Sequence, residues 1–123
     1  MVSLMSEHHH HGQEVLDDVI PLGRELRRAI PEVYKSYAAL HAAALGPGAL
    51  DTKAKELIAL GISVTSRCDG CIANHARAAV KAGATLEEAA EAIGVAIMMS
   101  GGPGTVYGPR AYDAFCEFAD KEG

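Results

Sequence analysis

At 123 residues, with 49% apolar side chains but only 5% aromatic ones, the chain is the size of one domain, 1–123, whose core has to be assembled from aliphatic residues and alanine. Its formal charge of −5 offers no footprint for nucleic acid, and no stretch of about 20 apolar residues is present to span a bilayer. Met1–Glu7 lacks the basic and apolar regions of a secretory signal, and three cysteines with one close pair do not make a secreted disulfide framework, so the expected compartment is the cytoplasm.

The hydrophobic period is helical nearly throughout. After a mobile tail over residues 1–13, Glu14–Ile20 reads as a short helix stopped by Pro21, and Leu22–Ile30 as a second that ends before Pro31. Pro31 suits a first helical position, and Val33, Tyr37, Leu40 and Ala44 form an apolar stripe that ends at Gly46-Pro47-Gly48. Asp51 or Thr52 caps the next helix, which carries Leu57, Ile58, Leu60, Ile62 and Val64 and ends near Arg67. A helix opening at the Cys68 motif turns Ile72, Ala76, Ala79 and Val80 inward and meets its C-terminal cap at Gly83. Thr85 and Glu88 form a capping box that launches a helix with Leu86, Ala89, Ala90, Ile93 and Ile97 on one side. Ser100–Gly108 is glycine-rich enough to read as a tight turn, leaving Pro109 to start a last helix with Tyr112, Phe115, Phe118 and Ala119. Two-residue alternation never persists, so the predicted class is all-α, with about six helices. Several of these helices carry more apolar positions than one face requires, while a chain of this size buries roughly two-thirds of its unfolded surface. A homo-oligomer is therefore expected.

The chemistry concentrates in Arg67-Cys68-Asp69-Gly70-Cys71-Ile72-Ala73-Asn74-His75. Residues three and four apart share a helix face, so Cys68, Cys71 and His75 form one stripe in which a disulfide can close. A thiolate is favoured near a helix N-terminus or beside a protonated imidazole, and Arg67 adds positive charge while Asp69 opposes it. Helix-end electrostatics favour Cys68 as the outward, exchanging thiol; proximity to His75 favours Cys71 for direct deprotonation, and the balance leans to Cys68 as the exposed one.

The stretch from Ala54 to Ile93 resembles the carboxymuconolactone decarboxylase and alkylhydroperoxidase D superfamily, in its CxxC-containing redox branch. That branch carries a glutamate twelve residues before the first cysteine and a histidine four after the second, and Glu56, Cys68, Cys71 and His75 match each position. The segment MMSGGPGTVYG is similar to the family's glycine-rich stretch. The resemblance implies an all-helical fold assembled as trimers or hexamers, and a thiol-dependent oxidoreductase that reduces small hydroperoxides or disulfides. In it Glu56 and His75 relay protons, the cysteines cycle between dithiol and disulfide, and a dithiol donor protein resets them without any cofactor. Alkylhydroperoxidase D has a further histidine immediately before the second cysteine, where this chain has Gly70, which favours a broader disulfide reductase or modest peroxidase over a dedicated one.

Other readings are weighed against this one. The alternative enzyme class is a carboxymuconolactone decarboxylase-type lyase, which needs no CxxC and for which the sequence advertises no basic pocket. A zinc-binding module would draw on Cys68, Cys71 and His75 but needs a fourth ligand from Glu56, Cys116 or the histidines, so no metal site is predicted. Cys116 reads as a small buried apolar residue and Met98 and Met99 as core or subunit contacts. Lys53, Lys55, Arg77 and Lys81 read as a solvated rim, and His8–His11 as a low-complexity stretch or purification remnant without catalytic role.

Overall fold

Six α-helices make up residues 9–122, the part of the chain that the computed structural model describes: α1 Gln13–Ala29, α2 Pro31–Leu45, α3 Thr52–Thr65, α4 Asp69–Lys81, α5 Leu86–Ser100 and α6 Gly102–Glu122. No strand occurs among the described residues. Of the tail expected at residues 1–13, residues 1–8 lie outside them, while residues 9–12 lead into α1, which Gln13 opens.

The caps follow the sequence closely. Asp51 accepts a hydrogen bond from the Ala54 N–H at the start of α3, and Thr85 and Glu88 form both halves of the capping box of α5. Gly83 sits at φ +92° just past α4, and Gly83 N–H and Ala84 N–H donate back to the carbonyls of Val80 and Ala79, a Schellman closure. Glu88 also holds Lys53 at 3.0 Å, so Lys53 ties α3 to α5 rather than standing on a solvated rim.

Helices α3 to α6 pack on one another around Phe115, Leu60, Ile72 and Val64, all fully buried, with alanines 73, 76, 79, 89, 96, 111 and 114 at the close contacts. Helix α1 lies against α4 and α6 and contributes Leu16, whereas α2 packs mainly on α1 and α3.

Three helix boundaries or faces depart from the expectations above. Pro21 does not divide α1, because Pro21 and the Asp17 carbonyl it deprives of a donor both lie on the exposed side, where water can take the bond. Pro109 is likewise inside a helix, with Thr105 exposed four residues earlier, so α6 begins at Gly102 rather than at Pro109. The glycines of the expected turn are instead packing residues. Gly104 and Gly108 are buried against α5, and a Cβ at Gly104 would stand 2.9 Å from the Cα of Ile97 and closer still to Ser100 Oγ. In α2 the stripe of Val33, Tyr37 and Leu40 is 60 to 64% exposed; the less exposed residues are Tyr34, His41 and Leu45.

Replacing Gly104 with alanine therefore forces α5 and α6 apart against a backbone atom. Despite alanine's better helix propensity, this change is expected to cost about 1–3 kcal/mol and to lower the melting temperature by about 5 °C or more in a thermal denaturation followed by circular dichroism.

Candidate active site

The site is built where α3 turns back into α4. Helix α3 ends at Thr65, with Ser66 as its C-terminal cap; Arg67 N–H then donates to the Val64 carbonyl and Cys68 N–H to that of Ser63, at 3.1 and 3.2 Å. This is the same Schellman closure that ends α4, with one difference. The position occupied there by glycine is held here by Arg67 at φ +55°, a left-handed conformation that a side chain adopts at a cost. The closure delivers Cys68 directly to the N-cap of α4, where its sulfur accepts a hydrogen bond from Cys71 N–H at 3.3 Å.

Cys68 and Cys71 are joined as a disulfide, with Cα atoms 5.2 Å apart, within the range such a bond requires. The pair sits at the positive end of the α4 dipole, so a thiolate released at Cys68 has both the dipole and an N–H donor to stabilise it. Cys71, not Cys68, is the more exposed of the two; the N-cap role turns Cys68 partly inward.

Two turns further along α4, His75 meets Glu56 of α3. The Nδ1–H of His75 donates to Glu56 Oε1 at 2.7 Å, and the two side chains are only 16% and 6% exposed. Because the acceptor is a carboxylate, Nδ1 carries the hydrogen and Nε2 is left as the ring nitrogen free to take a proton. The helix pair thus brings Glu56, Cys68, Cys71 and His75, the set that the family resemblance implies, into one locality.

Two neighbours come from distant parts of the chain and have no signature in the sequence. Arg110 of α6 pairs with Asp69 at 3.2 Å and lies over the Tyr107 ring at 4.5 Å. It offsets the Asp69 charge between the cysteines that otherwise opposes a thiolate. His41 of α2 stacks on His75, with ring centroids 6.0 Å apart and planes 14° from parallel, and Tyr37 lies 6.3 Å beyond His41.

The remaining candidates fall elsewhere. Among the described residues no cluster of three or more His, Cys, Asp or Glu side chains is arranged to hold a metal ion. His8 lies outside them; His9 pairs with Asp113 of α6 at 2.7 Å and His10 with Glu14 of α1. Met98 and Met99 are more than 70% exposed on α5, not core residues of the single chain. Cys116 is half-buried, and its thiol is pushed up from the ordinary range first by burial and then by Asp120 and Asp113. No helix among the described residues is long and apolar enough to cross a membrane.

Comparison with known proteins fits this geometry. The sequence model of the Carboxymuconolactone decarboxylase family matches residues 31–114. An apo crystal structure of a carboxymuconolactone decarboxylase family protein from Legionella pneumophila superposes with a TM-score of 0.84 at 39% identity, covering 87% of this chain and 96% of that one. A crystal structure of a Thermotoga maritima protein superposes with a TM-score of 0.71 at 34% identity, over 80% of this chain and 93% of that one. An uncharacterized protein of Cupriavidus necator is 36% identical over 90 residues, 73% of this chain and 80% of that protein.

The raised Cys116 thiol and the helix-end setting of the other two sulfurs separate the three cysteines chemically. After full reduction at pH 7.5, iodoacetamide is expected to alkylate Cys71 and Cys68 at least about tenfold faster than Cys116, as read by peptide mass spectrometry. The gap should narrow as the pH rises, because the neutral form is the one favoured at Cys116.

Proposed function

The chain belongs to the carboxymuconolactone decarboxylase family, and within it we propose a thiol-dependent oxidoreductase that reduces hydroperoxides or small disulfides by cycling Cys68 and Cys71. The observation that carries this reading is the disulfide-bonded pair at the N-terminus of α4, with the buried His75–Glu56 pair on the same helix hairpin.

In the reduced protein, Cys71 is the nucleophile, since it is the more exposed sulfur and stands one turn from His75. His75 accepts its proton at Nε2, and Glu56 holds the ring and balances the imidazolium charge. The Cys71 thiolate attacks the terminal oxygen of a hydroperoxide; the O–O bond breaks, the alkoxide leaves as an alcohol after taking the relayed proton, and Cys71 becomes a sulfenic acid. Cys68 then attacks that sulfur, the S–S bond forms, and water departs. Two thiols and one hydroperoxide thus give one disulfide, one alcohol and one water.

Reduction runs the sulfur chemistry the other way. A donor dithiol attacks the exposed Cys71 sulfur and Cys68 leaves as a thiolate stabilised by the α4 N-terminus. A second donor thiol resolves the mixed disulfide and frees Cys71. With a small disulfide as oxidant, the same two cysteines exchange and two substrate thiols are released.

The proposal includes a homo-oligomer, trimer or hexamer. Its support is apolar surface that the single chain leaves uncovered: an open groove of about 590 Å³ between α3 and α5, bordered by Ile58, Ile62, Val95 and Met99, each at least half exposed. Such a surface suits burial against a second copy of the chain. Ile62→Glu is expected to lower the mass measured by size-exclusion chromatography with light scattering, toward that of the monomer; an unchanged mass excludes this face as the contact.

The cysteines provide the decisive test of the chemistry. Incubating the reduced protein with one equivalent of tert-butyl hydroperoxide should lower its mass by two units and block both cysteines to alkylation. Cys71→Ser should abolish reaction, while Cys68→Ser should stop at one sulfenic acid, trapped by dimedone, without turnover. Hydroperoxide and disulfide reduction that survives Cys71→Ser removes the redox reading and leaves the family's lyase activity as the one to assay.

A further inference from the structure

The residues of α2 are nearly all exposed. Over Ala38–Leu45 the helix carries alanine and leucine with a single exception, His41, and His41 is one of only three α2 residues that are not fully exposed. Its ring lies 6.0 Å from that of His75 and within 14° of parallel. An aliphatic side chain at this position would seat α2 on the body equally well. A flat ring lying nearly parallel to the proton-carrying imidazole does something an aliphatic one cannot.

We propose that His41 is a positioning residue for His75, stacking on its imidazole to hold the plane defined by the Glu56 hydrogen bond. The inference rests on the relay role given to His75 above and extends it to a residue from a different helix. Its geometry has two parts. The Nδ1–H to Glu56 bond fixes one edge of the His75 ring but leaves the ring able to tip about that bond. A parallel ring against its face opposes the tipping, and so keeps Nε2 at a constant place relative to Cys71.

Two variants separate this role from simple seating of α2. His41→Phe keeps a flat ring; His41→Ala removes it. In imidazole 15N–1H spectra of the full-length oxidised protein, the His75 Nδ1–H signal held by Glu56 is expected to exchange faster with water in His41→Ala and to stay as in the wild type in His41→Phe. In stopped-flow oxidation of the reduced protein by tert-butyl hydroperoxide, His41→Ala should lower the plateau rate by about tenfold, and His41→Phe should recover most of that loss. An Nδ1–H signal unchanged in His41→Ala overturns the proposal, as does an equal plateau loss in the two variants. The spectra report on His75 whether or not the protein reduces peroxide, so a wild-type protein inert to peroxide and disulfides fails the redox reading alone, and an unchanged signal in His41→Ala fails this one.

Discussion

A carboxylate in a protein interior must have a partner, and Glu56 finds one in His75. Stripped of water and left unpaired, that charge would be among the least favourable groups in the chain; hydrogen-bonded to an imidazole at 2.7 Å it becomes a fixed point between α3 and α4. Much of the site follows from that pin. It holds the two helices in one register, which in turn fixes the three-residue turn between them and the orientation of the first turn of α4. The cysteines sit in that turn, so the group that manages protons and the group that exchanges electrons are aligned by one contact.

The stack on the far side of His75 and the ion pair beside the cysteines enclose this centre with helices that contribute little else to it. Helix α2 touches the rest of the chain sparingly, yet brings an imidazole to the relay. Helix α6, packed by its small residues against α4 and α5, brings Arg110 to Asp69.

What the sequence made legible were features decided within one helix or one turn. Cys68, Cys71 and His75 could be placed together because residues three and four apart share a helix face, and Glu56 joined them through the family's twelve-residue spacing to the first cysteine. Asp51, Thr85, Glu88 and Gly83 could be read as caps because capping is a matter of three or four residues. The misreadings share the opposite cause. Pro21, Pro109, Gly104 and Gly108 have local meanings as breakers, and the fold overrode them by turning the prolines to water and the glycines to a neighbouring helix. The stripe of α2 was correctly periodic, but a period cannot say whether its apolar face meets the same chain or another. His41 and Arg110, each more than thirty residues from its partner, left no mark that spacing could reveal. The relative exposure of the two cysteines was reversed because Cys68 spends its sulfur as a helix cap.

Arg67 holds the backbone shape that glycine holds at the equivalent turn after α4. The molecule therefore keeps an arginine at the position preceding Cys68 at the expense of local conformational ease. An engineering campaign that ranked positions by torsional discomfort would select this residue early, and the hardier protein it produced would carry a different electrical environment around its exchanging bond.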